Sequence, residues 1–117
     1  MTDPDCLFCK IVAGAVPAAK VRETQRALAF RDIDPKAPTH VLVIPKDHYA
    51  NVAELSRSDP ALAGELLAVA ADVADEEGVG EDGWRLLANS GRNAGQEVFH
   101  VHLHVFGGKP LGPMLEG

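Results

Sequence analysis

The chain reads as an α+β domain on a mostly antiparallel sheet. Two observations predict it. One long amphipathic helix occupies the middle of the sequence, and several short strand-like segments flank it without the strand–helix–strand alternation of a parallel sheet. The chain has 117 residues, enough for one domain spanning residues 1–117 with a core that needs no disulfide staples.

Cys6–Val12 is a short apolar element of one or two helical turns, ended by Gly14 and Pro17. Lys20–Glu23 and Ala27–Asp32 are short strands joined by the polar turn around Thr24-Gln25. Asp34-Pro35-Lys36-Ala37-Pro38 is a loop, because its two prolines exclude regular pairing. His40–Ile44 is a β-branched apolar strand ending at Pro45.

Ser58-Asp59-Pro60 opens the long helix: a capping side chain followed by proline in the first turn. Leu62, Leu66, Val69 and Val73 then recur at i, i+4, i+7 and i+11, drawing one apolar stripe, until Gly78 and Gly80 stop the helix. Trp84–Ala88 is a strand and Ser90–Gln96 a loop with glycines at 91 and 95. Val98–Phe106 is the last strand, stopped by Gly107-Gly108 and Pro110.

The formal charge is −6. A protein that grips nucleic-acid backbones must neutralise phosphates and is usually basic, so no nucleic-acid partner is expected. A small anionic ligand stays open, since main-chain N–H groups and a few local cations can hold one phosphate. The N-terminus lacks a basic region followed by an apolar run, and no apolar stretch reaches the ~18 residues of a membrane span. A cytoplasmic protein with no membrane partner is therefore expected. In a reducing compartment Cys6-x-x-Cys9 is a metal clip or redox pair before it is a structural disulfide.

The chemistry concentrates in His100-Val101-His102-Leu103-His104. On a strand, side chains alternate faces, so the three histidines point to one side and Val101, Leu103 and Val105 to the core. Same-face neighbours lie about 6.6–6.8 Å apart along a strand, close enough for three imidazoles to act on one phosphate and its flanking groups. Three readings stand beside one another. The histidines can be the solvated face of a half-buried strand. They can ligate a metal, although i, i+2 spacing on a flat strand does not by itself close a tetrahedron. Or one neutral imidazole attacks phosphorus while a second protonates the departing group; histidine, with an ordinary pKa near ~6.5, can play both parts.

The run His100-Val101-His102-Leu103-His104-Val105 resembles the signature of the histidine triad family. Leu28–Ile33, Ala37–Lys46, Asn89, Gly95-Gln96 and Gly107-Gly108 resemble its nucleotide-binding branch in order and spacing. The resemblance implies a five-stranded antiparallel sheet continued across a homodimer. It implies hydrolysis of purine nucleoside 5′-phosphoramidates, in which an amine is joined to the nucleotide phosphorus. It makes His102 the nucleophile of a covalent nucleotidyl-histidine intermediate, with its other ring nitrogen fixed by a backbone carbonyl. His104 would contact the phosphate and leaving group, and His40 would join the proton network behind the nucleophile. Asp32 matches the carboxylate for the ribose hydroxyls. Asn89 and Gln96, with Gly95 in the same loop, match the phosphate region. Leu7, Phe8, Ile11, Phe30 and Ile33 match the apolar slot for the base. Read without the family, those five are core residues and Asp32 is a turn residue, while Ser90–Gln96 is a glycine-rich loop able to turn amides toward a phosphate.

Two departures bear on specificity. Glu97 stands where animal-type members often have a serine or threonine donor, and an ionised Glu only accepts. The segment from Lys109 to Gly117 lacks the tryptophan-containing tail of animal members and looks like bacterial ones. A regulatory nucleotide-binding module, a dinucleoside polyphosphate hydrolase and a nucleotidyl transferase are the alternatives to the phosphoramidase reading.

The five histidines are 40, 48, 100, 102 and 104. With 40, 102 and 104 assigned by the resemblance to the active site, His48 and His100 remain for the cysteine pair. That division resembles metal-bearing members of the wider family. Structural zinc on Cys6, Cys9, His48 and His100 is the expectation, closed to substrate because all four positions are protein ligands.

Overall fold

The computed structural model describes residues 2–114. Strands β1 (Lys20–Glu23), β2 (Ala27–Arg31), β3 (Thr39–Pro45), β4 (Trp84–Leu87) and β5 (Leu103–Gly107) form one sheet in the order β1-β2-β3-β5-β4. Every pairing is antiparallel. The central strand β3 is buried along its whole length, because helices cover parts of both faces.

On one face lies α3 (Pro60–Glu76), the long helix. Leu62, Leu66, Val69 and Val73 pack there with Val41, Val43, Val101, Leu103 and Val105. Asp59 starts the helix: its Oδ1 accepts the Leu62 N–H at 3.1 Å, and Pro60 occupies the first turn. Gly78, at φ +76°, turns the chain out of the helix in a conformation that glycine adopts without strain.

The other face carries α1 (Leu7–Val12), capped by the Cys6 side chain. Its Phe8, Cys9 and Ile11 pack with Leu28, Phe30, Leu42 and Ile44. The six-residue α1 covers part of this face, where its Phe8 also meets the rings of His100 and His102.

Two differences from the sequence expectation stand out. A second helix, α2 (Val52–Ser58), precedes α3 and ends where Asp59 begins it. Its start is marked by Asn51, whose Oδ1 accepts the Glu54 N–H at 2.9 Å, while Glu54 accepts the Ala50 N–H at 3.2 Å. This is a variant of the capping box, present in the sequence but carrying too few apolar residues to show a period. The last strand is also shorter than Val98–Phe106. Extending the β3–β5 register beyond Val43↔Leu103 sets Val101 against Pro45, which has no N–H to donate. The Val101 N–H turns instead to the Tyr49 carbonyl at 2.7 Å. Among the described residues no helix is long and apolar enough to cross a membrane.

Candidate active site and metal cluster

The alternation of side chains survives the shortening of the strand. Val101, Leu103 and Val105 enter the core under α3, and His100, His102 and His104 take the face shared with α1. They do not act as one set, however. His100 is fully buried and turns to the cysteine pair, with Nδ1 at 3.4 Å from Cys6 Sγ and 3.5 Å from Cys9 Sγ. Its Nε2 lies 2.8 Å from the Pro45 carbonyl. Carbonyl oxygen only accepts, so Nε2 carries the proton and Nδ1 offers a lone pair to the sulfur side. Both ring nitrogens are engaged. This corrects the expectation of three imidazoles on one phosphate: His100 has no nitrogen left for substrate.

His102 has the opposite tautomer. Its Nδ1 donates to the His100 carbonyl at 2.8 Å, which leaves the Nε2 lone pair free of a proton. Phe8 stands edge-on to this ring at 5.1 Å and 89°. The His104 ring also lies 5.0 Å from it. Backbone and ring packing thus orient one unprotonated nitrogen next to a second imidazole, the arrangement nucleophilic catalysis requires.

Behind His104 stands His40, 4% exposed on β3. Its Nε2 is 3.0 Å from His104 Nδ1 and 3.5 Å from Asp32 Oδ2. Burial pushes both rings toward the neutral form, His40 below its ordinary value and His104 down to about 4. For His104 the neighbouring histidines add to the effect of burial. Asp32 is thus joined to the histidine pair through one oxygen. Its other oxygen accepts the Asp34 N–H at 2.8 Å.

The remaining candidate residues are placed as follows. Phe8, Ile11 and Phe30 are buried together, whereas Leu7 is 45% exposed and Ile33 fully exposed, so these two are surface residues of the chain. Asn89 is half-buried just beyond β4, and Glu97 is exposed. Gly95 takes φ +83° in a turn of 3-10 helix at Arg92–Ala94. Gln96 is buried, and its side chain is spent on the backbone. It accepts the Gly91 N–H at 2.8 Å and donates to the Ala50 and Val98 carbonyls at 2.7 and 3.0 Å. The amides of Gly91, Ala94, Gly95 and Gln96 bond within the loop. The loop is therefore a brace between β4, α2 and the segment that carries His100 and His102, and these four amides do not form a phosphate cradle.

Cys6, Cys9, His48 and His100 gather their ligand atoms within 4.8 Å of one another. Cys9 Sγ lies 3.5 Å from His48 Nδ1. A tetrahedral zinc with ordinary Zn–S and Zn–N bonds separates sulfur from nitrogen by about 3.6 Å. The three S···N distances of 3.4–3.5 Å match that edge. The donor set therefore fits a metal ion, and burial pushes the Cys9 thiol up, so a thiolate there calls for a cation beside it.

Sequence reasoning reached all the side chains of these two clusters. It missed the main-chain groups that orient them, the Pro45 carbonyl and the Lys36 N–H, which donates to His40 Nδ1 at 3.1 Å. Pro45 was visible only as the end of a strand, and Lys36 as a loop residue.

The site thus pairs His102, with its Nε2 unprotonated, with His104, next to a Cys2His2 cluster that includes His100 of the same segment. The HIT domain model matches residues 13–111, and the chain belongs to that family. The purine nucleoside phosphoramidase of Escherichia coli strain K12 is 44% identical over 111 residues, which is 95% of this chain and 93% of that protein. A HIT family hydrolase from Clostridium thermocellum superposes with a TM-score of 0.93 at 43% identity, covering 98% of this chain and all of that one. A histidine triad nucleotide-binding protein from Candida albicans gives 0.82 at 33% identity, covering 97% of this chain and 85% of its own.

Proposed function

We propose that the protein hydrolyses purine nucleoside 5′-phosphoramidates through a covalent nucleotidyl intermediate on His102. The observation that carries this reading is the 2.8 Å bond from His102 Nδ1 to the His100 carbonyl, which leaves Nε2 as a nucleophile. Its lone pair attacks the α-phosphorus, a P–Nε2 bond to the ring forms, and the P–N bond to the amine breaks with its electron pair going to the departing nitrogen, which takes a proton from solvent and leaves as the neutral amine. Water then attacks the same phosphorus, the bond to the ring breaks, and nucleoside monophosphate leaves. His104 faces the phosphate and leaving group. Asp32 is the candidate for the ribose hydroxyls, and the buried ring of Phe8 the floor of the base site. The named activity of the E. coli relative supports this substrate class.

We further propose zinc as the ion at Cys6, Cys9, His48 and His100. Four protein ligands leave it no open position, so it supplies structure and no bond-making. A homodimer that continues the sheet is the expected assembly, pairing on one of its two edge strands, β1 or β4.

The test mixes the protein with an adenosine phosphoramidate and follows amine release. A loss of ~10³-fold or more is expected in His102→Ala, with a nucleotide-mass adduct in the unaltered protein quenched early. Equal rates for the two proteins would overturn the assignment. Sedimentation of the purified chain as a monomer would remove the dimer.

A further inference from the structure

The loop at residues 34–38 controls more than its own path. The Lys36 N–H donates to His40 Nδ1 at 3.1 Å. A donor facing that nitrogen requires a lone pair on it, so the single proton of neutral His40 sits on Nε2. Nε2 in turn faces His104 Nδ1 at 3.0 Å. With the proton on the His40 side, His104 Nδ1 must accept, and the proton of neutral His104 is forced to its outer nitrogen, Nε2. With Asp32 Oδ2 3.5 Å from the same His40 Nε2 as a further acceptor, one peptide N–H thereby sets two consecutive tautomers.

We infer that the main-chain N–H of Lys36 is a positioning group: it locks the His40→His104 hydrogen bond in one direction and makes His104 a fixed Nε2–H donor toward a phosphate bound at His102. For the phosphate, the inference rests on the hydrolase reading. His104 then stabilises negative charge on the phosphate oxygens while keeping its own proton, as an oxyanion-type donor does. Both rings are held neutral by burial, the state in which the lock operates. A second proton on His40 Nδ1 would set two donors against each other.

The loop is built to hold this amide still. The Asp32 N–H donates to the His40 carbonyl at 3.0 Å, and Asp32 Oδ1 accepts the Asp34 N–H at 2.8 Å. Lys36 Nζ returns to the Asp34 carbonyl at 3.1 Å and its carboxylate at 2.6 Å. Pro38 presses on Gly108, where an added Cβ would meet the proline at 2.9 Å. The same amide argues against a cation on Asp32, His40 and His104, although their ligand atoms lie within 4.8 Å. A metal on His40 Nε2 would drive the proton onto Nδ1, against the Lys36 N–H.

The experiment is two-bond proton–nitrogen NMR of the histidine rings in the full-length, uniformly ¹⁵N-labelled protein at neutral pH, with and without adenosine monophosphate. The expected result is an unprotonated Nδ1 and protonated Nε2 in His40 and His104, and the reverse in His102. Added nucleotide should shift the His104 Nε2–H signal. A protonated Nδ1 in either His40 or His104, or averaged shifts in both, overturns the lock; an unmoved His104 signal with nucleotide bound overturns the donor role. Lys36→Pro removes the N–H together with the Nζ contacts to Asp34, contacts that Lys36→Ala removes alone, and should give averaged His40 shifts, with kcat lower by about fivefold and KM changed less. Lys36→Ala keeps the N–H and should keep both tautomers. The ring shifts do not depend on turnover, so a protein with these tautomers and no phosphoramidase activity would sink the substrate reading and leave the lock standing.

Discussion

Replacing Phe8 by leucine links packing to catalysis in one variant. Phe8 is 5% exposed and meets three rings: Phe30 at 5.6 Å and 75°, His100 at 5.9 Å and 70°, and His102 at 5.1 Å and 89°. Edge-on aromatic contacts contribute ~0.5–1.5 kcal/mol each beyond area burial. Leucine keeps most of the apolar surface but none of the ring geometry, so a stability loss of about 1–3 kcal/mol is expected. For a domain of this size that corresponds to a melting temperature lower by roughly 5–10 °C. The contact to His102 also orients the proposed nucleophile. If about 1 kcal/mol of that orientation is lost in the transition state, kcat falls about fivefold. Thermal denaturation by circular dichroism and steady-state kinetics on an adenosine phosphoramidate measure the two effects. A leucine variant with unchanged melting temperature and unchanged kcat refutes the claim that this ring holds the nucleophile.

Acid should destabilise the protein from near neutrality. The folded pKa of His104 is about 4 and that of His40 is lowered, against an unfolded value near ~6.5. As pH falls below ~6.5 the unfolded chain takes up protons that the native rings refuse, so stability drops until about pH 4; urea melts across this range should show it, and a flat profile would contradict it. Asp59→Ala should cost about 1–2 kcal/mol, because it removes both the cap on Leu62 and the 2.8 Å ion pair with Arg26. Asp59→Asn, which retains a capping oxygen, should cost less, and denaturant midpoints rank the two. Stripping metal with a strong chelator should lower the melting temperature, and zinc should restore it. Cys9→Ser should show a metal content well below one ion per chain by native mass spectrometry, and full occupancy in that variant would remove Cys9 from the ligand set.

Much of this molecule is legible because its signals are local. The stripe of Leu62, Leu66, Val69 and Val73 repeats at helical spacing, and Asp59-Pro60 marks its start. The alternation from His100 to Val105 divides active face from core without reference to any other segment. The resemblance then assigned roles that the residue pattern alone left open. The family match and the five-stranded antiparallel sheet agree with the family and fold that the resemblance implied.

What the tertiary structure alone decided are relations between distant positions. His100 and His102 are indistinguishable in an alternating strand, yet one meets Cys6, 94 residues away, and the other packs against Phe8 and His104. Pro45 ends the ladder on its partner strand and supplies the carbonyl that orients His100. Gln96 braces a loop through carbonyls on separate segments. The proton positions in the His40–His104 pair follow from an amide in a proline-rich loop. Periodicity reports which way a side chain points from its own backbone; which nitrogen bears a proton depends on the donor or acceptor opposite, and only the folded chain brings that partner within 3 Å or so.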